Sequence, residues 1–357
     1  MDWDFFKAFL SIDSTSGKER EVALWLSQRL PEGCPGAPRL TCQEVGDGTL
    51  NLFLQWGTPK VVFCSHMDTV PPYIAPRFSD NAVYGRGSCD AKGQVFALYT
   101  ACCQLAAAGY SDFGLLLLAG EETGSWGAKA FSKTGFQAPF LIIGEPTENK
   151  MVSASKGTKS YDLVFTGEAF HSGYPQYGVS AVDLFNGFYN ALKAKDFGLD
   201  PELGETTWNV GLLRSDNAQN ILSPKLACRL YFRTTFVSHQ AVQDWMADAA
   251  SGKGLPSASL RDPVRENAPG SPVPLLVTPN GSGDQPAHYV TLPGFPSGPV
   301  AFGSDAPHLT GFGHKIICGP GSIRHAHRDD EQVLTADLET AVAQYVRMYH
   351  CLTSTEL

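Results

Sequence analysis

Three apolar runs stand out along the chain: Val61-Val62-Phe63-Cys64, Leu115 to Ala119, and Leu141-Ile142-Ile143. None alternates with polar residues, so each predicts a strand buried on both faces, as in a parallel sheet covered by helices. Asn51 to Leu54 predicts another strand ahead of them. Phe5 to Leu30 carries apolar residues at helical spacing, broken by Ser14-Thr15-Ser16-Gly17, which predicts two opening helices with a turn and cap between them. Gln94 to Ala108 has helical composition. Together these elements predict an α/β fold with a doubly wound, mostly parallel sheet.

The texture changes near Ser155. Lys159 to Thr166 and Lys225 to Thr235 alternate like half-buried strands, while Val179 to Ala194 and Ser238 to Ala250 read as helices. That order predicts a small α+β layer, with Ser251 to Gly254 and the proline-rich tract Pro263 to Pro279 as its exit linker. Ile316-Ile317-Cys318 and a final helix, Thr335 to Cys351, return to the first texture. The expected organisation is a discontinuous catalytic domain, 1–154 and 262–357, interrupted by an inserted lid and dimerisation domain, 155–261.

Composition narrows the function classes. The 357 residues are 43% apolar and 18% charged, the profile of a globular chain of about two domains that needs no disulfide staples. Lys plus Arg is 27 against 36 for Asp plus Glu, a net charge of −9. With no basic run, nucleic acid and anionic membrane surfaces are poor partners. The start, Met1-Asp2-Trp3-Asp4, lacks the cations of a signal peptide, and no apolar stretch approaches the ~20 residues of a membrane helix. Nine cysteines without a Cys-x-x-Cys pair read as free thiols in a reducing compartment, so a cytoplasmic protein is expected.

The acidic residues carry the chemistry. Each apolar run ends in polar groups: Ser65-His66-Met67-Asp68, Gly120-Glu121-Glu122, and Gly144-Glu145-Pro146. In an open α/β sheet the carboxyl ends of parallel strands share one edge, where ligands bind. Asp90 opens the helix after the first run and can face the same edge. Any one of these acids reads more simply as a helix cap or a solvated loop residue. Five converging carboxylates would repel each other unless cations are present. Imidazole plus carboxylate donors favour zinc or a similar ion over magnesium or calcium, and two ions sharing one carboxylate would suit a hydrolase. His66 and Asp68 are two apart on an extended chain, so Asp68 can hold the second imidazole nitrogen. Glu121 and Glu122 are adjacent and face opposite ways, which suits one ligand and one base.

The ordered motifs His66-Met67-Asp68-Thr69-Val70-Pro71, Gly85 to Gly93, Glu121-Glu122-Thr123-Gly124, Gly144-Glu145-Pro146-Thr147 and Ala326-His327-Arg328-Asp329-Asp330-Glu331 resemble the acetylornithine deacetylase, succinyl-diaminopimelate desuccinylase, aminoacylase and carboxypeptidase group of dinuclear zinc metallohydrolases. The resemblance covers nearly the whole chain. It implies that His66 and Glu145 hold one ion, Glu122 and His327 the other, and that Asp90 bridges them. Glu121 would be the general acid/base and Asp68 the orienting carboxylate. It further implies a cis peptide between Asp90 and Ala91. His325 lies two residues from His327, and spacing alone does not choose between them; the motif selects His327.

In the inserted domain, Phe170-His171-Ser172-Gly173 resembles the family's lid motif, whose His reaches the active site of the other subunit of a homodimer. Arg233 and Asn220 match positions that bind a substrate carboxylate. Gly303-Ser304-Asp305 and Gly319 to Ser322 are expected as pocket loops without a derived role. The Ser153-Ala154-Ser155-Lys156 match to a serine acyl-enzyme pattern has no supporting partner motif, and a hinge or substrate-facing role suits Lys156 better.

The resulting expectation is a hydrolase with two divalent ions, zinc first and cobalt as the alternative. Its substrate is the amide of an N-acyl amino acid such as N-acetyl- or N-succinylornithine, with the motifs closest to acetylornithine deacetylase-like members. Water between the ions would attack, with Glu121 as acid/base. The alternatives are a di- or tripeptidase or carboxypeptidase of the same family, and a non-catalytic metal-binding scaffold. Two bound ions at +4 would bring the formal charge from −9 to about −5.

Overall fold

The computed structural model describes residues 1–46, 48–253 and 275–354. In chain order the elements are α1 (Trp3–Leu10), α2 (Arg20–Gly33), β1 (Arg39–Gly46), β2 (Thr49–Gly57), β3 (Val61–His66), β4 (Arg77–Phe78), β5 (Ala82–Tyr84), α3 (Lys92–Ala107), β6 (Asp112–Leu118), α4 (Trp126–Ser132), β7 (Ala138–Ile143) and β8 (Met151–Ser155). Next come β9 (Gly157–Thr166), α5 (Ala181–Ala194), β10 (Leu199–Asp200), β11 (Gly204–Glu205), β12 (Thr207–Arg214), β13 (Lys225–Thr234), α6 (His239–Ala250) and β14 (Leu275–Pro279). The chain closes with β15 (Ala287–His288), β16 (Ser297–Val300), β17 (Phe312–Ile317), β18 (Gln332–Leu334) and the C-terminal helix Thr335–Ser354. Contacts divide it into two compact units.

The first unit comprises Met1–Ser153, His288–Val300 and Ser304–Leu357. Its six-stranded sheet runs β1-β2-β6-β3-β7-β17. From β6 through β3 and β7 to β17 the strands are parallel, and β1 and β2 are antiparallel additions. The uninterrupted apolar runs have a direct cause. Phe63, Leu115, Leu117, Ile142 and Ile316 face a core shared with α1, α2, α3 and the C-terminal helix. Val62, Cys64, Leu116, Leu118, Leu141, Ile143 and Ile317 face the opposite core, which includes Ala128 and Phe131 of α4. Both faces exclude water, so the strand interiors are apolar, and Ser65, His66 and Asp112 fall at strand ends. Burial of α3 on nearly all sides follows from its place against both the sheet and the C-terminal helix.

The second unit, Ala154–Ala287 and Ala301–Gly303, is a four-stranded antiparallel sheet in the order β12-β13-β9-β14. Alternate residues of β9 and β13, among them Tyr161, Leu163, Phe165, Leu226, Leu230 and Phe232, pack against Leu184 and Phe188 of α5 and Val242 and Met246 of α6. Ser180 caps α5 by accepting the Asp183 N–H.

The expected boundary between 261 and 262, and most of the proline-rich tract, lie outside the described residues. Residues 275–287 group with the second unit and not, as their sequence predicts, with the catalytic domain. The proline count suggested a linker. Leu275 and Val277 nevertheless turn toward the second core, and β14 pairs with β9 along its length. β1 carries no such apolar run because it is an edge strand whose residues are half-buried or exposed, with Arg39, Thr41, Gln43 and Glu44 among them.

Candidate active site

The carboxyl ends of β3, β6 and β7 deliver the acids of the first unit. His66 is the last residue of β3, and Asp68 follows two positions later. Both are buried. Asp68 Oδ1 accepts the Glu121 N–H at 3.0 Å, and Oδ2 accepts the Glu122 N–H at 3.2 Å and the Ser16 hydroxyl at 2.8 Å. One carboxylate thus fixes the turn after β6 that carries both glutamates.

Asp90 sits just before α3, and its peptide bond to Ala91 is cis. Its Oδ1 is 3.2 Å from His66 Nε2, and its Oδ2 is 3.4 Å from His327 Nε2. Glu122 Oε1 lies 3.0 Å from the same His327 nitrogen. Donor atoms of His66, Asp90 and Glu122 all lie within 4.8 Å of one another. His327 occupies left-handed backbone space at φ 63° and turns toward this cluster, which identifies it over His325 as the imidazole facing Asp90 and Glu122. Glu145, buried after β7, interacts electrostatically with Glu121, His66 and Asp90.

The charges are unbalanced. Burial, reinforced by neighbouring carboxylates, raises the carboxyls of Glu121 and Glu145 well above the ordinary range. Burial also opposes ionisation of Asp90, but hydrogen bonds from His327 and His66 overcome it and hold this carboxyl low. His327 is raised to about 10 by Asp90 and Glu122. The site therefore gathers Asp68, Asp90, Glu121, Glu122 and Glu145 around two imidazoles. An arrangement in which each oxygen of one carboxylate faces a different imidazole suits two cations on either side of Asp90, and imidazole with carboxylate is a donor set for zinc-class ions.

Asp305 joins this group without having been assigned a role from sequence. It is buried, and its carboxyl is raised to about 6, chiefly by burial. Its Oδ1 has no hydrogen-bond partner among the described residues. The only sequence signal was its place in the Gly303-Ser304-Asp305 loop. Cys89, the cysteine next to Asp90, is buried and donates to the Ser322 carbonyl at 3.3 Å, which is a packing role.

The remaining candidates lie in the second unit. His171 is exposed, and its Nδ1 accepts the Gly173 N–H at 3.0 Å. The Ser172 N–H donates to the Asn220 carbonyl at 2.9 Å, and His171 bridges to Ile221, so the His171 and Asn220 segments adjoin. Arg233 is on β13 beside Thr158 of β9, with its guanidinium 5.1 Å from the Tyr231 ring centre. Lys156, in the same unit, is buried and donates to the Glu205 carbonyl.

Residues 62–350 match the family model described as "Peptidase family M20/M25/M40". A probable carboxypeptidase of Aspergillus terreus is 31% identical over 382 aligned residues, covering 96% of this chain and 84% of the relative. The structure is similar to that of a tripeptidase from Staphylococcus aureus, with a TM-score of 0.80 at 17% identity over 99% of this chain and 98% of the other. It also matches a metallo-carboxypeptidase from Sulfolobus solfataricus, with a TM-score of 0.72 at 15% identity over 99% and 100% of the two chains. Among the described residues no helix is long and apolar enough to cross a membrane.

Proposed function

Because the chain belongs to peptidase family M20/M25/M40 and is a metal-dependent hydrolase, we propose that it cleaves the amide bond of short peptides that end in a free carboxylate. The observation that carries the reading is Asp90, whose two oxygens face two different imidazoles. In this reading His66 and Glu145 hold one divalent ion, Glu122 and His327 the other, and Asp90 both, with zinc preferred and cobalt as the alternative. Bound there, the ions would polarise the scissile carbonyl and acidify water.

Glu121 then takes the proton of the attacking water and returns it to the departing amine nitrogen. Asp68 keeps His66 and the Glu121-Glu122 turn in register. His171 of a second subunit would steady the developing oxyanion, and Arg233 and Asn220 would take the substrate carboxylate. A homodimer through the inserted domain is part of this reading. The free cysteines support a cytoplasmic setting.

The peptide substrate is preferred because relatives across nearly the full chain are named carboxypeptidase. A second reading, an acetylornithine deacetylase-like deacylase, is favoured by the Gly144-Glu145-Pro146-Thr147 motif and the stretch from His171-Ser172 to Ala181. Amine release should be measured from di- and tripeptides, the same peptides with amidated carboxyl ends, and N-acetyl- and N-succinyl-ornithine, citrulline, lysine and diaminopimelate. Cleavage of free-acid peptides that is lost on amidation is the expected result. Release from the acylated amino acids alone would establish the deacylase instead. No release from any member by a protein carrying two ions would leave the scaffold reading.

A further inference from the structure

Glu331 and Arg86 form a buried pair, 1% and 2% exposed, that the chemistry above does not use. Glu331 Oε1 accepts three backbone N–H groups: Gly87 at 2.9 Å, Cys89 at 3.0 Å and Asp90 at 3.0 Å. Its Oε2 lies 2.6 Å from Arg86 Nη1. That same nitrogen donates to the Arg328 carbonyl at 3.1 Å, and Arg86 Nε donates to the Pro72 carbonyl at 3.2 Å. The pair therefore grips two segments far apart in sequence. One is the loop that ends at Asp90, through its amides. The other is Arg328, the residue immediately after His327, whose own backbone is left-handed.

Stability alone explains such a pair poorly. Replacing a buried ion pair with apolar groups of similar volume is often neutral or stabilising. The specific content here is positional. A carboxylate with three converging N–H donors sets where Asp90 stands, and the guanidinium on its other oxygen sets where His327 stands. We propose that Glu331 and Arg86 are positioning residues that preset the separation of Asp90 and His327 for a divalent cation, so that cation affinity depends on a pair that touches no cation. The inference rests on the reading of Asp90 and His327 as ligands given above.

The test is calorimetric titration of the metal-free full chain with Zn2+, repeated with Co2+ followed by its visible absorption spectrum. Three variants are compared: Glu331→Gln, Glu331→Asp, and the double replacement Arg86→Met with Glu331→Leu, which fills the space without charge. Thermal unfolding of each metal-free variant checks folding. The expected result is a Kd for the more weakly held ion raised about 10–100-fold, the range seen for groups that orient metal ligands, with an altered Co2+ spectrum. In the apolar double variant this should occur in a chain that still unfolds cooperatively, with an unfolding temperature lowered because the Gly87, Cys89 and Asp90 amides lose their acceptor. Folded variants that bind both ions within twofold of wild-type affinity, with an unchanged Co2+ spectrum, would overturn the inference and leave the ligand assignment standing. A wild-type chain that binds no ion, or binds as well after Asp90→Asn, would overturn the ligand assignment and the inference with it.

Discussion

His66 turns Nδ1 toward the backbone carbonyl of Asp68 at 3.0 Å, with the Asp68 carboxylate slightly farther at 3.3 Å. That contact on Nδ1 aims Nε2 at Asp90, 3.2 Å away, the nitrogen that would face a cation held by that carboxylate. The spacing of the two residues predicts that Asp68 orients the imidazole, but most of its carboxylate is occupied elsewhere, on the amides of Glu121 and Glu122 and the Ser16 hydroxyl. Asp68 therefore holds the ring largely through its main chain and the glutamate turn through its side chain. Asp68→Asn, which places an amide against N–H donors, should lower kcat/KM by about 10–100-fold. Asp68→Ala should add a loss of stability of about 1–3 kcal/mol, because buried amides lose their acceptor. Steady-state kinetics and denaturant unfolding of the two variants separate these effects.

Glu121 and Glu122 are neighbours with different assignments, and metal content distinguishes them. Glu121→Gln removes the proton carrier and no proposed ligand, so kcat should fall by about 10²–10⁴-fold while two ions per chain remain on elemental analysis. Glu122→Gln should lose metal. Near-normal turnover by the Glu121→Gln protein would remove it from the proton-transfer role.

How far the sequence reached depends on what each residue has to satisfy. Strands β3, β6 and β7 are readable because burial on both faces forces the apolar runs Val61–Cys64, Leu115–Leu118 and Leu141–Ile143. β14 was not, because two prolines near its ends masked a short alternation of Leu275 and Val277. In the site, His66, Asp68 and the two glutamates are close in sequence to strand ends, and strand geometry alone brings them to one edge. Asp305 and Glu331 act from loops, and nothing in their local spacing tells whether a loop acid faces solvent or turns inward. His327 and His325 are equivalent by spacing, and only the backbone turn at His327 separates them.

Lys92 gives a pH dependence with a definite sign. It is 1% exposed, and its Nζ donates to the carbonyl of Phe9, in the last turn of α1, at 3.2 Å and to that of Ile12, just beyond the helix, at 2.6 Å. Burial lowers its pKa to about 7, against the partial opposition of Asp13 and Glu331. Between pH 7 and the unfolded value of 10.5, the unfolded chain binds more protons than the folded one, so this group's contribution to stability rises with pH in that window. Below pH 7 both states are charged and the burial penalty is constant. Lys92→Met should therefore show its largest gain, or smallest loss, in unfolding temperature relative to wild type below pH 7. The difference should move steadily in favour of the wild type up to pH 10.5. A pH-independent difference between the two melting curves would place the folded-state pKa near its ordinary value.

The proposed sharing of His171 between subunits can be tested without locating it directly. In the proposed dimer each site uses its own Glu121 and the partner's His171. A Glu121→Ala protomer paired with a His171→Ala protomer then contains one site with both groups and one site with neither. Two separately inactive proteins should regain activity on mixing once subunits exchange. With random reassortment half the dimers are mixed and each has one intact site, so recovery should approach about a quarter of the wild-type rate per protomer, as expected for a closed two-fold assembly. If His171 served its own subunit's site, mixing would leave every site short of one group, and no activity would return at any ratio. Size measurement of the mixture, with differently tagged protomers to follow exchange, ensures that a null result reports on the site and not on slow subunit exchange.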